Sequence, residues 1–124
     1  MRLNEIKYTD ALPIDGYGPG FFRVGGQVHN GAVLCSGAGV TEWGGYSDTE
    51  TLLTLAGQVD VLFIGTGKDT LHVPADFRTA LETEGLGVEG MNSPSAARTY
   101  NVLLSEGRRI AVALLPVTDP VTGA

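Results

Sequence analysis

The residues whose types and order best suit a ligand are Gly65, Thr66 and Gly67, followed downstream by Ser93 and Arg98. The glycine pair ends an apolar run, and Ser93-Pro94 opens a stretch with helical periodicity. A helix start offers free backbone N–H groups and a partial positive charge, which together favour an anion. Arg98, about one turn further in, would supply the counter-charge to a carboxylate or phosphate. Asn101 and Ser105 extend the polar stripe that Arg98 begins, and Tyr100 and Arg108 complete the candidate ligand or partner contacts. A plainer reading stands beside this one: a Gly-x-Gly after a strand is commonly a tight turn, and a polar stripe is commonly a solvated helix face.

Other chemistry is poorly supported. A dinucleotide fingerprint needs a third glycine where Thr70 stands, and a Walker loop fails at Leu62 and at Asp69, where a glycine and a hydroxyl residue belong. Cys35 sits in the apolar stretch Val33-Leu34-Cys35 with no local base, so buried filler is expected rather than a nucleophile. His29 and His72 read as surface imidazoles without paired spacing for a metal, and no cofactor is expected. No Gly-x-Ser-x-Gly elbow or triad spacing is present, so no catalytic set is assigned. Trp43 would anchor a partner if exposed, but burial under a sheet suits its large apolar ring better.

The elements that must hold these residues alternate in type. Phe21 to His29 and Ala32 to Ser36 flank Asn30-Gly31, which predicts a hairpin with a type I′ turn there and a bend at Gly25-Gly26. Asp15 to Gly20 reads as a turn, and Val40 to Trp43 as a short strand. Ser47 or Asp48 caps a short helix to about Ala56, with Leu52, Leu53 and Ala56 on its apolar side. Val59 to Ile64 is apolar enough for a strand covered on both faces. Pro74 opens a helix that buries Phe77, Ala80 and Leu81 and stops at Gly85, and Leu86 to Met91 is a weaker strand. The helix from Ser93 to about Glu106 turns Ala96, Ala97, Tyr100, Leu103 and Leu104 inward, and Ile110 to Leu115 is the last strand. Strands alternating with helices predict an α/β fold in which a mostly parallel sheet is covered by helices, with the leading hairpin as a further layer. In such sheets a ligand crevice lies beyond the carboxyl ends of the strands, which puts Gly65 to Gly67 beside Asn92-Ser93.

Composition bounds the function. The 124 residues suit one domain, taken as 1–117 with a flexible tail over 118–124. Hydrophobic residues at 43% against 18% charged are enough for a packed core, and the 18 glycines announce many turns. A net charge of -6 disfavours nucleic acid and anionic membranes as partners. Locally the balance reverses: between Gly90 and Thr118, Arg98, Arg108 and Arg109 face Glu106 alone, so an acidic partner is expected there. A single cysteine, an N-terminus with alternating charge and the lack of a long apolar run point to the cytoplasm, without membrane insertion.

Three stretches can now be taken together: Ile14-Asp15-Gly16-Tyr17-Gly18-Pro19-Gly20-Phe21, Ile64-Gly65-Thr66-Gly67, and Arg98-Thr99-Tyr100-Asn101-Val102-Leu103 with Glu106-Gly107-Arg108-Arg109. From about Ile6 to Pro116 the chain resembles the Mth-type small α/β domain family, largely of unknown function, which includes the mitochondrial complex I assembly factor three. The resemblance implies a three-layer fold around a mixed sheet, with the last apolar strand antiparallel to the others, and no established enzyme activity. It implies a protein partner, in the manner of a respiratory or membrane complex subunit. The leading expectation is therefore a non-catalytic interaction or assembly domain. The alternatives are a carboxylate- or phosphate-binding protein or enzyme using the crevice at Gly65 to Gly67 with Arg98, and a homodimer formed through hairpin edges.

Overall fold

The computed structural model describes residues 11–118. The tail expected from residue 118 onward therefore lies outside the described residues, apart from Thr118.

Among the described residues, eight strands and three α-helices form two sheets and their cover. β1 (Ile14–Gly18), β2 (Phe21–Val24) and β3 (Gln27–Asn30) make an antiparallel meander. The main sheet has the order β5-β4-β8-β6-β7, built from β4 (Val33–Ser36), β5 (Gly39–Glu42), β6 (Val61–Gly65), β7 (Gly87–Met91) and β8 (Ile110–Leu114). The helices are α1 (Thr49–Leu53), α2 (Ala75–Thr83) and α3 (Ser93–Ser105). β6 lies parallel to both β7 and β8, while β4 is antiparallel to β8 and to β5. Four of the five strands thus run the same way. The reversed strand is β4, not the last strand, because the chain enters the sheet from the meander and turns back at once through the β4-β5 hairpin.

Strand alternation decides what each face covers. Leu34, Leu62, Ile64, Ala111 and Ala113 point to one side, where Trp43, Leu52, Leu55, Phe77 and Leu81 from the α1 and α2 region pack on them. Val33, Cys35, Phe63, Val112 and Leu114 point to the other, under Ala96, Ala97 and Tyr100 of α3 and Ile14, Phe22 and Val24 of the meander. Helices, sheet, then helix plus meander give the three layers. Ala80 is exposed rather than buried with Phe77 and Leu81.

The meander departs from the expected hairpin. Its turn is Gly25-Gly26, with φ of 57° and 86°, and Val24 pairs with Gln27 across it. A type I′ turn needs positive φ at both central residues, which two glycines adopt without the Cβ penalty that Asn30 would meet. No residue other than glycine has positive φ among those described, so Asn30-Gly31 is a crossing between sheets. Val33 to Ser36 are buried on both faces, which only the interior of the larger sheet provides. Of the stretch Asp15 to Gly20, expected as a turn, only Pro19-Gly20 is one; Asp15 to Gly18 belong to the edge strand β1, which has a register shift at Asp15, whose carboxylate accepts the Gly26 N–H at 2.6 Å.

Asp48 is the cap before α1: its carboxylate accepts from the Thr51 hydroxyl (2.7 Å), the Gly44 N–H (3.0 Å) and the Thr51 N–H (3.2 Å). These bonds, the Thr51 hydroxyl foremost, hold its pKa below the usual carboxylate value. Trp43 is buried, donates from Nε1 to the Asp48 carbonyl at 3.0 Å and packs on Tyr46 and Phe77.

Candidate functional site

Gly65, Thr66 and Gly67 leave the carboxyl end of β6 and meet the start of α3, as the topology requires. The contact is close because residue 65 has no side chain. A Cβ there would stand 2.6 Å from Ser93 Oγ, 2.6 Å from Leu114 Cδ2 and 2.9 Å from Ser93 Cα. Ser93 is fully buried, and its hydroxyl accepts the Gly67 N–H at 2.9 Å and donates to the Leu115 carbonyl at 2.7 Å. The Ser93 N–H returns to the Gly67 carbonyl (2.8 Å), and the Leu115 N–H donates to the Gly65 carbonyl (2.9 Å). One hydroxyl therefore joins the ends of β6 and β8 to the first turn of α3.

The helix start has no N–H left for an anion. The cap is Asn92, not Ser93: its side chain accepts the Ser95 N–H at 2.8 Å. Ser93 donates to Gly67, Pro94 has no N–H, and Ala96 begins the helical ladder by donating to the Asn92 carbonyl (2.9 Å). The donors that make a helix N-terminus an anion site are thus consumed internally.

The neighbouring loop is fastened by two threonines. Thr66, buried, donates its hydroxyl proton to the Asp69 carbonyl at 2.5 Å and accepts the Leu71 N–H at 3.1 Å. Thr70 accepts the Asn92 backbone N–H (3.0 Å) and side-chain amide (3.1 Å). Leu71, between these anchors, is 61% exposed, the most exposed of the large apolar side chains that reach solvent among the described residues, the others being Tyr17, Val28 and Val102.

The other candidates scatter. The Arg98 side chain is exposed and makes no hydrogen bond or ion pair among the described residues. Asn101 is a clamp rather than part of a solvated stripe: it accepts the Ile14 N–H and donates to the Ile14 carbonyl, both at 2.9 Å, as a strand partner would. Tyr100 is fully buried, and its hydroxyl finds no partner. Burial, with Cys35 nearby as a smaller cause, raises its pKa above the usual phenol value. Cys35 is itself buried in β4, and burial alone pushes its thiol up to about 12. His72 is exposed, whereas His29 is half-buried with Nε2 enclosed and unpartnered, a departure from the surface position expected of it.

Arg108 stands at the opposite end of the sheet, before the start of β8. There the β4-β5 turn at Ser36 to Ala38, the segment after α1 and the end of α3 border an open pocket of about 300 Å³. A second hollow of about 440 Å³ shares Ser36, Leu55 and Gln58 with it and continues between β5 and α1. Nothing in the spacing of Ser36, Gln58 and Arg108 announces this groove, since three separate loops assemble it.

A small three-layer α/β domain, with the crevice at its strand ends filled by its own side chains, is the class these features define. The chain belongs to the family described as a protein of unknown function (DUF498/DUF598), whose model matches residues 14–115. An uncharacterized protein of Rhodobacter capsulatus is 49% identical over 124 residues, covering all of both chains. The zebrafish NADH dehydrogenase [ubiquinone] 1 alpha subcomplex assembly factor 3 is 34% identical over 110 residues; the match covers 83% of this chain and 63% of that one. Among solved structures, a Mth938-like domain of Bordetella pertussis superposes with a TM-score of 0.71 at 28% identity, over 90% of each chain. The Mth-type resemblance is therefore established.

Proposed function

We propose that this chain is a non-catalytic interaction domain that assists assembly of a membrane-bound respiratory complex, acting from the cytoplasmic side. The observation that carries the reading is the 34% identity to a named NADH dehydrogenase assembly factor along 83% of the chain. The site chemistry supports it: the polar groups at the crevice bond to one another, and Ser93 and Asn92 have structural work. Among the described residues no helix is long and apolar enough to cross a membrane, so contact with such a complex would run through a protein surface. The surface we assign is centred on the pinned loop at Leu71, which Thr70 ties to Asn92 at the start of α3, and extends along that helix to the exposed guanidinium of Arg98. A preset apolar anchor beside a polar rim is the usual composition of an interface centre.

Affinity purification of the tagged chain from its native cells, with mass spectrometry, tests this. Enrichment of NADH dehydrogenase subunits that is lost in both Leu71→Asp and Arg98→Ala is expected, and both side chains are exposed enough for the fold to survive. Recovery of the bait alone, or enrichment indifferent to both variants, overturns the reading.

A further inference from the structure

The paired arginines at the far end of the sheet are left unused by the assembly reading. Arg109 is engaged, donating to the Gly57 carbonyl at 3.1 Å and lying 3.7 Å from the Asp60 carboxylate. The Arg108 guanidinium is exposed and has no hydrogen bond or ion pair among the described residues, in a protein whose net charge is -6. Both arginines line the 300 Å³ cavity. Its apolar surface comes from Leu55, Val59 and Ile110, each at least nine-tenths buried, and from Leu104. The rest of the lining is polar, from Ser36, Gln58 and the two arginines, and a concavity that joins apolar side chains to converging polar groups is the general form of a small-molecule site.

We propose that this cavity binds a small organic carboxylate carried on a short apolar stem, with the stem on Leu55, Val59 and Leu104 and the carboxylate on Arg108. Charge decides the head group. A guanidinium offers a planar pair of donors matched to a carboxylate, whereas an ammonium would be repelled by both arginines. The end of α3 would oppose an anion through its last carbonyls. Here those carbonyls are already engaged: Leu103 accepts from Glu106 and Arg108, and Leu104 from Gly107. Size decides the stem. At about 300 Å³ the pocket lies at the lower end of ligand-site volumes, which suits a short acid of about six carbons rather than a larger ligand. The site lies at the end of the sheet opposite Leu71, so its failure and that of the assembly reading are separable.

The test is a titration of the ¹⁵N-labelled chain with hexanoate at constant ionic strength, followed by amide shifts, with hexan-1-ol and hexylammonium as controls. Hexanoate is expected to move the Gly37, Ala38, Gln58 and Arg108 amides saturably, and hexylammonium not to. Arg108→Gln should weaken binding by about tenfold, the loss of one charge-assisted hydrogen bond, and Arg108→Lys should restore part of it. The side chain is exposed, and an unchanged melting temperature confirms that the variant folds. The proposal is overturned if no saturable shift occurs, if the alcohol binds as tightly as the acid, if Arg108→Gln binds unchanged, or if the shifts fall at Gly67 and Ser93.

Discussion

The two ends of the main sheet answer the same topological opportunity differently. At the carboxyl ends of β6 and β8, where an open α/β sheet ordinarily offers a ligand crevice, Ser93 Oγ occupies the space and bonds to Gly67 and Leu115. At the other end, three loops fail to meet and leave a cavity with a free arginine on its wall. Topology says where a crevice is allowed; the size and hydrogen-bonding capacity of single side chains say whether it is there.

The contrast breaks most severely at Gly65. Gly65→Val forces carbon onto Ser93 Cα and Leu114 and should cost about 3 kcal/mol or more, read from the denaturant midpoint. A loss under about 1 kcal/mol would mean that α3 moves off the sheet easily and that the seal is soft. Ser93→Ala is next. It leaves the Gly67 N–H and one Leu115 carbonyl contact unmet in a buried place, and about 2 kcal/mol should be lost by the same measurement.

Tyr100→Phe sharpens the comparison from within α3, because its hydroxyl is buried without the partners that Ser93 enjoys. Removing it should leave stability unchanged or raise it by up to about 1 kcal/mol; a loss larger than that would reveal a buried water as the hydroxyl's partner. The smallest effect belongs to the open end. Arg108→Gln should shift thermal stability by less than about 0.5 kcal/mol, since its guanidinium holds nothing together.

Much of this architecture was legible in residue patterns. Pro74 and Ser93-Pro94 marked two helices, the apolar runs around Val61–Gly65 and Ile110–Leu114 marked the two parallel central strands, and the convergence of Gly65 to Gly67 on Ser93 followed from strand order. Gly25-Gly26 and Asn30-Gly31 carry the same turn signal in the sequence, and burial on both faces of Val33–Ser36 decides between them only in three dimensions. The anion cradle expected at α3 fails for a different reason. Local sequence displays the donors of a helix start but not the acceptors that the rest of the chain brings to them, here Gly67 O and the Asn92 side chain. Asn101 shows the same limit, since its partner Ile14 lies 87 residues away. The Ser36 to Ala38, Gln58 and Arg108 groove was invisible for want of any contiguous motif.

Native-state hydrogen exchange by NMR tests the central contrast most directly, because it reads each amide in the unmodified protein. A buried, bonded amide exchanges only when the structure around it opens. The Gly67 and Ser95 amides should be protected to nearly the level of the β6 and β8 core, while Gly37 in the open hairpin turn exchanges fast. Exchange of Gly67 and Ser95 as rapid as that of Gly37 would contradict the account, showing an open crevice where a sealed one is described.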